Sequence, residues 1–477
     1  MRTGPRGVLV KALAGLAIGV MTLTCGQQVA GQPAAADEPP VSVTVLSRNI
    51  YLGADVGIAI RLLPDMPAAA QFMWDQMRSN DITQRATALA GEVHQGRPDV
   101  IGLQEAATWY CSRGLGQRQV VYDFTSALLD ALAVSGQQYV IASDGTRPAR
   151  NEGFSIGPIP WVTTVHDPEV FRPRFGSDEA ECGFTVADVL LIRADLQDSV
   201  LATGTVDYHQ DTAIVPILMV ISRGYAWADI RIGGTPIRFV TTHLESIWEP
   251  DQVPASTRQA QQLTQDLAST SMPLVVLGDF NSDPRDPRPK DANPGDQPEI
   301  SSTCPEQSGQ LDATCSAYWT MIRAGFTDAG PDSQDPASLT WGTSADLSGP
   351  DPIRAVAAQR LGNAAGMTER IDFVFVRNGT VARQAAVIGD SWWDADTTWP
   401  CGERRDDGPT RCLASDHAGV LATVAIPYTG IQNSPLIGAG ASSGNWLWIM
   451  ALIALVVLLG GLVVLTLTRR KGRHDSA

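Results

Sequence analysis

The chain has 477 residues, 44% hydrophobic and 18% charged, a composition that excludes a disordered or fibrous protein and a single minimal domain. Its formal charge is -16, and basic ends (Arg2, Arg6 and Lys11; Arg469, Arg470, Lys471 and Arg473) conceal a still more acidic middle. That middle argues against sequence-independent binding to a polyanion, except in a metal enzyme, where bound cations change the local field.

In chain order, a basic start, an apolar run from Val8 to Leu23 and Ala34-Ala35-Ala36 predict a secretory signal peptide over residues 1–36. Lipidation of Cys25 is the alternative, but Leu23-Thr24-Cys25 is a poor site because Thr24 is not small enough. Val41 to Tyr51 reads as a strand with Asn49 at its end. Met66 to His94 has one helical pattern, with Pro67 near its start and Gly96-Arg97-Pro98 after it. Asp99 to Glu105 is a second strand ending in a carboxylate, followed by a helix from Tyr122 to Ser135 and a strand from Gln138 to Ala142. Pro148 to Cys182 reads as a long irregular insertion. Strands are predicted over Phe184–Ile192, Ala213–Ser222, Ala226–Ile232 and Ile237–Thr242, the last leading into His243.

A helix from Pro254 to Ala268 leads into Leu274-Val275-Val276-Leu277-Gly278-Asp279-Phe280-Asn281. Four apolar residues in a row predict a buried strand. Asp279 and Asn281, two apart, then project to the same side of its end. An ordinary Asx turn is the bland alternative. Asp283 to Ser302 reads as a surface loop, Cys315 to Ala324 and Asp351 to Ala365 as helices, and Ile371 to Val376 as a strand that begins beside Arg370 and Asp372. Val381 to Ile388 is its expected hairpin partner. The loop from Gly389 to Ala414 carries Trp392, Trp393 and Trp399, and Ser415-Asp416-His417 precedes a last strand, Ala418–Ile426.

One domain is therefore expected over residues 41–427, then a flexible stalk at 428–445 rich in Gly, Ser and Ala. Residues 446–468 carry no charge and are long enough to span a bilayer as a transmembrane helix. Tryptophans at one edge and the basic tail of 469–477 at the other place the domain outside and the tail in the cytoplasm. The expected location is a single-pass cell-membrane protein, in contact with its own membrane and with no protein partner inferred. Of seven cysteines, six remain once Cys25 leaves with the leader. Spacing favours the disulfides Cys304–Cys315 and Cys401–Cys412, leaving Cys111–Cys182; zinc is disfavoured because no Cys-x-x-Cys pair exists.

Polar residues capable of chemistry recur at strand ends: Asn49, Glu105, His243, Asp279, Asn281, Asp372, Asp416 and His417. Oxygen ligands suit a hard divalent cation, an imidazole moves protons near neutral pH, and a carboxylate beside it fixes its tautomer. Singly, Asn49 reads equally as a turn cap, Asp372 as a strand-start residue and His243 as a satisfied core histidine. His94, His166 and His209 lack such a context.

On Arg48-Asn49, Gln104-Glu105, Thr242-His243-Leu244, Gly278-Asp279-Phe280-Asn281, Arg370-Ile371-Asp372 and Ser415-Asp416-His417, the chain resembles the endonuclease/exonuclease/phosphatase superfamily. That superfamily includes pancreatic-type deoxyribonucleases, bacterial sphingomyelinases and inositol-polyphosphate phosphatases. One such triplet arises by chance, but these occur in the family's order. The resemblance implies an α/β fold, a four-layer α/β/β/α sandwich of two mixed β-sheets. It implies Mg²⁺ as cofactor, with Mn²⁺ or Ca²⁺ as alternatives. Glu105 would be the main metal ligand, with Asn49 and Asp416 near the same ion or a second one. Asp279 and Asn281 would position water and phosphate, and His417, oriented by Asp372, would be the general base unless Asp279 takes that role. His243 would stabilise developing charge or protonate the leaving group.

The implied substrate is a phosphodiester, in a nucleic acid or a phospholipid head group. The deoxyribonucleases carry Arg-Glu-Pro before the histidine strand, where this chain has Arg223-Gly224-Tyr225, so the Glu that supports the histidine is missing while Arg223 remains for the substrate. Sphingomyelinases place an aromatic hairpin before the last motif, where Trp392 and Trp393 lie at a similar place. The expectation is a metal-dependent phosphodiesterase acting on nucleic acid, ahead of a sphingomyelinase-like phospholipase C. A binding ectodomain without catalysis is the non-enzyme alternative.

Overall fold

The computed structural model describes residues 40–215, 219–247, 253–285, 316–405 and 408–427. The leader, the stalk, the 446–468 segment, the tail and the Cys304–Cys315 pair lie outside the described residues. Among the described residues no helix is long and apolar enough to cross a membrane.

The first half of the chain runs β1 (Val41–Asn49), α1 (Val56–Arg61), α2 (Met66–Ser79), α3 (Ile82–Gly96), β2 (Val100–Ser112), β3 (Gln119–Asp123), α4 (Phe124–Val134) and β4 (Tyr139–Ile141). It continues with β5 (Arg150–Ile156), β6 (Thr164–His166), α5 (Pro168–Phe175), β7 (Glu179–Arg193) and β8 (Val200–Asp207). A small hairpin of β9 (Thr212–Val215) and β10 (Met219–Ile221) precedes β11 (Gly224–Ile232), β12 (Thr235–His243), α6 (Ala255–Asp266) and β13 (Leu274–Asp279). The last part holds α7 (Ala317–Arg323), β14 (Thr327–Asp328), α8 (Ala355–Leu361), β15 (Asp372–Arg377), β16 (Val381–Ile388), β17 (Thr398–Arg405), β18 (Gly408–Leu413) and β19 (Gly419–Ile426).

Two mixed sheets result. The first is ordered β16-β19-β1-β2-β7-β4, with β3 on β2 and β5 and β6 on β7; the second is ordered β14-β15-β13-β12-β11-β8. In each, one parallel pair lies among antiparallel neighbours: β1 with β2, and β12 with β13. Alternation along β13 shows how the sheets stack. Val275 and Leu277 face the first sheet and join Val43, Val45 and Leu190 in an inter-sheet core. Leu274 and Val276 face the other way, against Leu263 of α6 and Met321 of α7. The outer face of the first sheet is covered likewise, Leu46 and Ile101 meeting Trp74, Leu89 and Leu128 of α2, α3 and α4. The layers are helix, sheet, sheet, helix, and a strand buried on both faces needs the unbroken apolar run seen at 274–277. The sheets approach closely at Gly102, where an added Cβ would meet Leu277 Cβ at 2.7 Å and Thr241 Oγ1 at 2.9 Å.

Several expectations are corrected. The helix expected over 66–94 is two, because Asn80 ends α2 and the Asp81 side chain caps α3 through the Thr83 and Gln84 amides. Asn80 Nδ2 also donates to the Gly53 and Ala345 carbonyls, so tertiary contacts fix the break. The stretch 148–182 is not irregular: it holds β5, β6 and α5, the last capped by Asp167 and started by Pro168. β8 went unread, its Ala, Thr and Gly giving little apolar signal. β16 pairs with β19 in the first sheet and not with β15 in the second, so Asn378 and Gly379, both at positive φ, carry the chain between layers. The loop 389–414 contains the β17–β18 hairpin, joined by the Cys401–Cys412 disulfide; Cys111–Cys182 joins β2 to β7.

The contact at Gly102 gives a stability test. Gly102→Val should destabilise the domain by about 1–3 kcal/mol through overpacking between the sheets, read as a lower urea midpoint. An unchanged midpoint would show that the sheets can part there at no cost.

Candidate active site

Strand ends from both sheets meet at one edge. In the second sheet His243, Asp279 and Asp372 stand side by side, His243 paired in register with Asp279 and Asp279 with Asp372. In the first, Asn49 ends β1, Glu105 lies in an irregularity of β2, and Asp416 and His417 immediately precede β19. The irregularity has a local cause. The register of β2 against β7 shifts between Leu103 and Ala106, and Glu105 takes φ +57°. This bulge turns its carboxylate into the cleft. Tyr51 (φ +57°) and Asn281 (φ +45°) line the same cleft at positive φ, strain of the kind that accumulates at functional sites.

Contacts between the sheets assemble the centre. His417 Nδ1 lies 2.9 Å from Asp372 Oδ2, and Asn49 Nδ2 donates to Asp279 Oδ2 at 3.0 Å. His417 Nε2 and His243 Nε2 lie 3.7 and 3.4 Å from the same Asp279 oxygen. Arg48, in a buried ion pair with Glu92, donates to the His417 carbonyl at 2.6 Å, and Ser415 Oγ donates to the Asn49 carbonyl at 2.8 Å. The arginine and serine of the short motifs are therefore braces, while Asp416 and His417 face the cleft.

The cleft has a volume of about 270 Å³ and is lined by Glu105, Arg223, His243, Asp279, Asn281, Asp416 and His417, with Trp341 and Asp351 on its wall. It is short of positive charge. Burial opposes a proton on His417, yet Asp372, Asp416 and Asp279 together push it up to about 10. Burial and the neighbouring Asp372 push Asp279 up to about 7, against the pull of His417. Burial pushes Asp416 up to about 6, with His417 opposing and Glu105 adding to the rise. Burial, Arg223 and His417 hold His243 well below 6.5. Arg223 Nη1 lies 3.0 Å from His243 Nδ1. A guanidinium only donates, so Nδ1 faces a donor, and Nε2 faces a second, Asn281 Nδ2, at 3.0 Å.

The donor set fits a hard divalent cation. Glu105 and Asp416 are carboxylates close enough to repel one another, and among the described residues the Leu52 amide, at 2.8 Å, engages Glu105 Oε2. Asn49 stands beside them, but its Oδ1 already accepts from the Tyr51 amide at 2.9 Å. A second group, Asp279, Asp372 and His417, offers ligand atoms within 4.8 Å of one another.

The structure brings Asn49, Glu105, His243, Asp279, Asn281, Asp372, Asp416, His417 and Arg223 together. It does not bring Trp392 or Trp393 to the cleft. The Trp392 indole donates to the Ala365 carbonyl at 3.1 Å, Trp399 is buried, and Trp393 is 90% exposed. Three neighbours went unread. Trp341 donates to Asp416 Oδ2 at 3.4 Å, and Glu245 lies 3.5 Å from Arg223 Nε. Asp188 accepts the His243 amide at 3.1 Å. A signal for Asp188 existed: it is a lone carboxylate inside the apolar run Val186 to Ile192.

Residues 76–417 match the model of the endonuclease/exonuclease/phosphatase family, and the chain belongs to that family. No curated protein sequence matches the chain. Among solved structures it is similar to a family member from Bacteroides thetaiotaomicron (14% identity, 82% of this chain and 99% of that one, TM-score 0.41). It is also similar to a mannosyl-6-phosphatase from the same organism (16%, 80% and 100%, 0.39) and to a truncated TDP2 from Caenorhabditis elegans (14%, 80% and 97%, 0.38). Members of this family are phosphoester hydrolases, and this chain has the acidic and histidine cluster that such chemistry uses.

Asp188 yields a pH-dependent prediction. Burial pushes its carboxyl up to about 8, with Arg223 opposing, so the folded protein holds a proton that the unfolded chain releases near pH 4. Stability from this group is complete below about pH 4 and is lost as pH rises through that window. Asp188→Asn cannot ionise and still accepts the His243 amide. Melting should be unchanged at about pH 4 and rise by a few degrees at about pH 8.5, measured calorimetrically. An equal shift at both pH values would contradict this account.

Proposed function

We propose that this chain is an extracytoplasmic, divalent-metal-dependent phosphodiesterase, with Mg²⁺ as the first choice of cation and Mn²⁺ or Ca²⁺ as alternatives. The observation that carries the reading is the pair His417–Asp372 facing Asp279 across a cleft that also holds Glu105 and Asp416. A cation held by Glu105 and Asp416, with Asn49 alongside, would neutralise charge on the phosphoryl oxygens. Asp279, close to both imidazoles and poised near neutrality, takes the proton of the attacking water. His417, charged and held by Asp372, supplies a proton to the leaving oxygen as the P–O bond breaks. His243 stays neutral beside the phosphate, which Asn281 positions.

Nucleic acid is the substrate favoured by the sequence, and a lipid phosphodiester is the second reading. One observation favours the second. Among the described residues Arg223 is the one lysine or arginine lining the cleft, and His243 and Glu245 already engage it. A nucleic-acid strand needs several cations for successive phosphates. The leader at 1–36 and the apolar run at 446–468 support secretion and membrane anchorage. The two disulfides suit an oxidising compartment.

His417→Ala should lower kcat on a phosphodiester with an alkoxide leaving group, such as a dinucleotide, by about 10²–10⁴-fold with KM little changed, and on bis(p-nitrophenyl) phosphate by less. Wild-type activity in that variant would remove His417 from the mechanism. In a side-by-side assay, sphingomyelin vesicles should be turned over faster than single-stranded or double-stranded DNA. The reverse order would restore nucleic acid as the substrate.

A further inference from the structure

The cleft has a second, chemically different neighbour. Beside its acidic wall lies a cavity of about 60 Å³ between α1, α2 and strands β5 and β7. Val56, Ile60 and Phe154 line both spaces. The cavity's remaining lining is almost wholly apolar, including Leu63, Met66, Met73 and Trp109, with Thr163 as the exception. Nothing in the phosphodiester chemistry uses it.

We propose that this cavity is a subsite for an unbranched alkyl or acyl chain attached to the phosphodiester, so that a lipid phosphodiester is held at both its charged and its apolar parts. This deepens the reading of the cleft given above and rests on it. Four observations support it. The cavity adjoins the catalytic cleft, sharing Val56, Ile60 and Phe154 with it. Its size is below the ~150 Å³ of an apolar cavity that takes a benzene ring, so it suits a few methylenes and not a nucleobase. Its methionines can adjust around a chain of variable path. The cleft also has apolar lining beside its carboxylates, including Val186, Ile221 and Ile247.

The test uses the full-length chain and methyl, butyl and hexyl p-nitrophenyl phosphates, alongside titration calorimetry with methyl and hexyl phosphate. Each methylene that enters the cavity is worth roughly fourfold in kcat/KM. Hexyl should therefore exceed methyl by at least tenfold, and hexyl phosphate should bind more tightly than methyl phosphate. Ala70, half-buried in α2, lines the cavity and is remote from the chemistry. Ala70→Phe should fill the space and abolish the chain-length preference while leaving the methyl ester's turnover unchanged. Equal turnover of methyl and hexyl esters, or a preference that survives Ala70→Phe in a folded protein, would overturn the subsite and leave the phosphodiesterase reading intact. No turnover of any ester would count against that reading instead, and calorimetry would still decide the subsite: equal binding of the two phosphates overturns it. Should Ala70→Phe not fold, the wild-type chain-length series and the calorimetry still decide.

Discussion

Docking of one sheet on the other is what the site depends on. The two hydrogen bonds at its centre, His417 to Asp372 and Asn49 to Asp279, each join a residue of the first sheet to a residue of the second. Neither sheet alone holds a working set. The inter-sheet core of Val43, Val45, Leu190, Phe239, Val275 and Leu277 sets the spacing, and Gly102 allows the final approach. Gln104 Nε2 donating to Thr241 Oγ1 at 2.9 Å crosses the same gap just before Glu105. Burial of apolar area thus provides the rigidity that short polar contacts require.

That rigidity confines an excess of negative charge. Glu105, Asp279, Asp372 and Asp416 gather around two imidazoles and one arginine already engaged by Glu245. Removal from water raises the pKa values of Asp279 and Asp416, the surrounding carboxylates retain a proton on His417, and a divalent cation relieves the same imbalance. The two histidines are kept different by their Nδ1 partners: a carboxylate for His417, a guanidinium for His243. Identical side chains are therefore held in opposite charge states at one cleft.

Much of this was legible in the sequence, for reasons that differ by residue. The strand at 274–279 announced itself because burial on both faces demands consecutive apolar residues, and Asp279 and Asn281 followed from the period of an extended chain. The motif residues could be placed at strand ends without knowing which sheet held them. What was hidden depended on tertiary choices. The break at Asn80–Asp81 interrupts a pattern whose helical period continues across it. β16 lies directly after β15 in the chain, yet its partner is β19, a selection made between layers. Arg223 was read as a substrate contact because nothing local tells that its guanidinium reaches a histidine twenty residues on. Trp392 and Trp393 are adjacent but diverge, one bonded inward and one exposed, which follows from a turn and not from residue type.

The central claim is that charge relief by a divalent cation at Glu105 and Asp416 switches on phosphodiester hydrolysis at this sheet edge. The most direct measurement is bis(p-nitrophenyl) phosphate turnover by the full-length chain after EDTA treatment, with Mg²⁺ or Mn²⁺ then restored, in wild type and in Glu105→Gln. The account predicts loss of activity in EDTA and recovery on either cation in wild type. It predicts that Glu105→Gln needs at least tenfold more cation for half-maximal activity. Full activity in EDTA, or an unchanged cation requirement in Glu105→Gln, would contradict it.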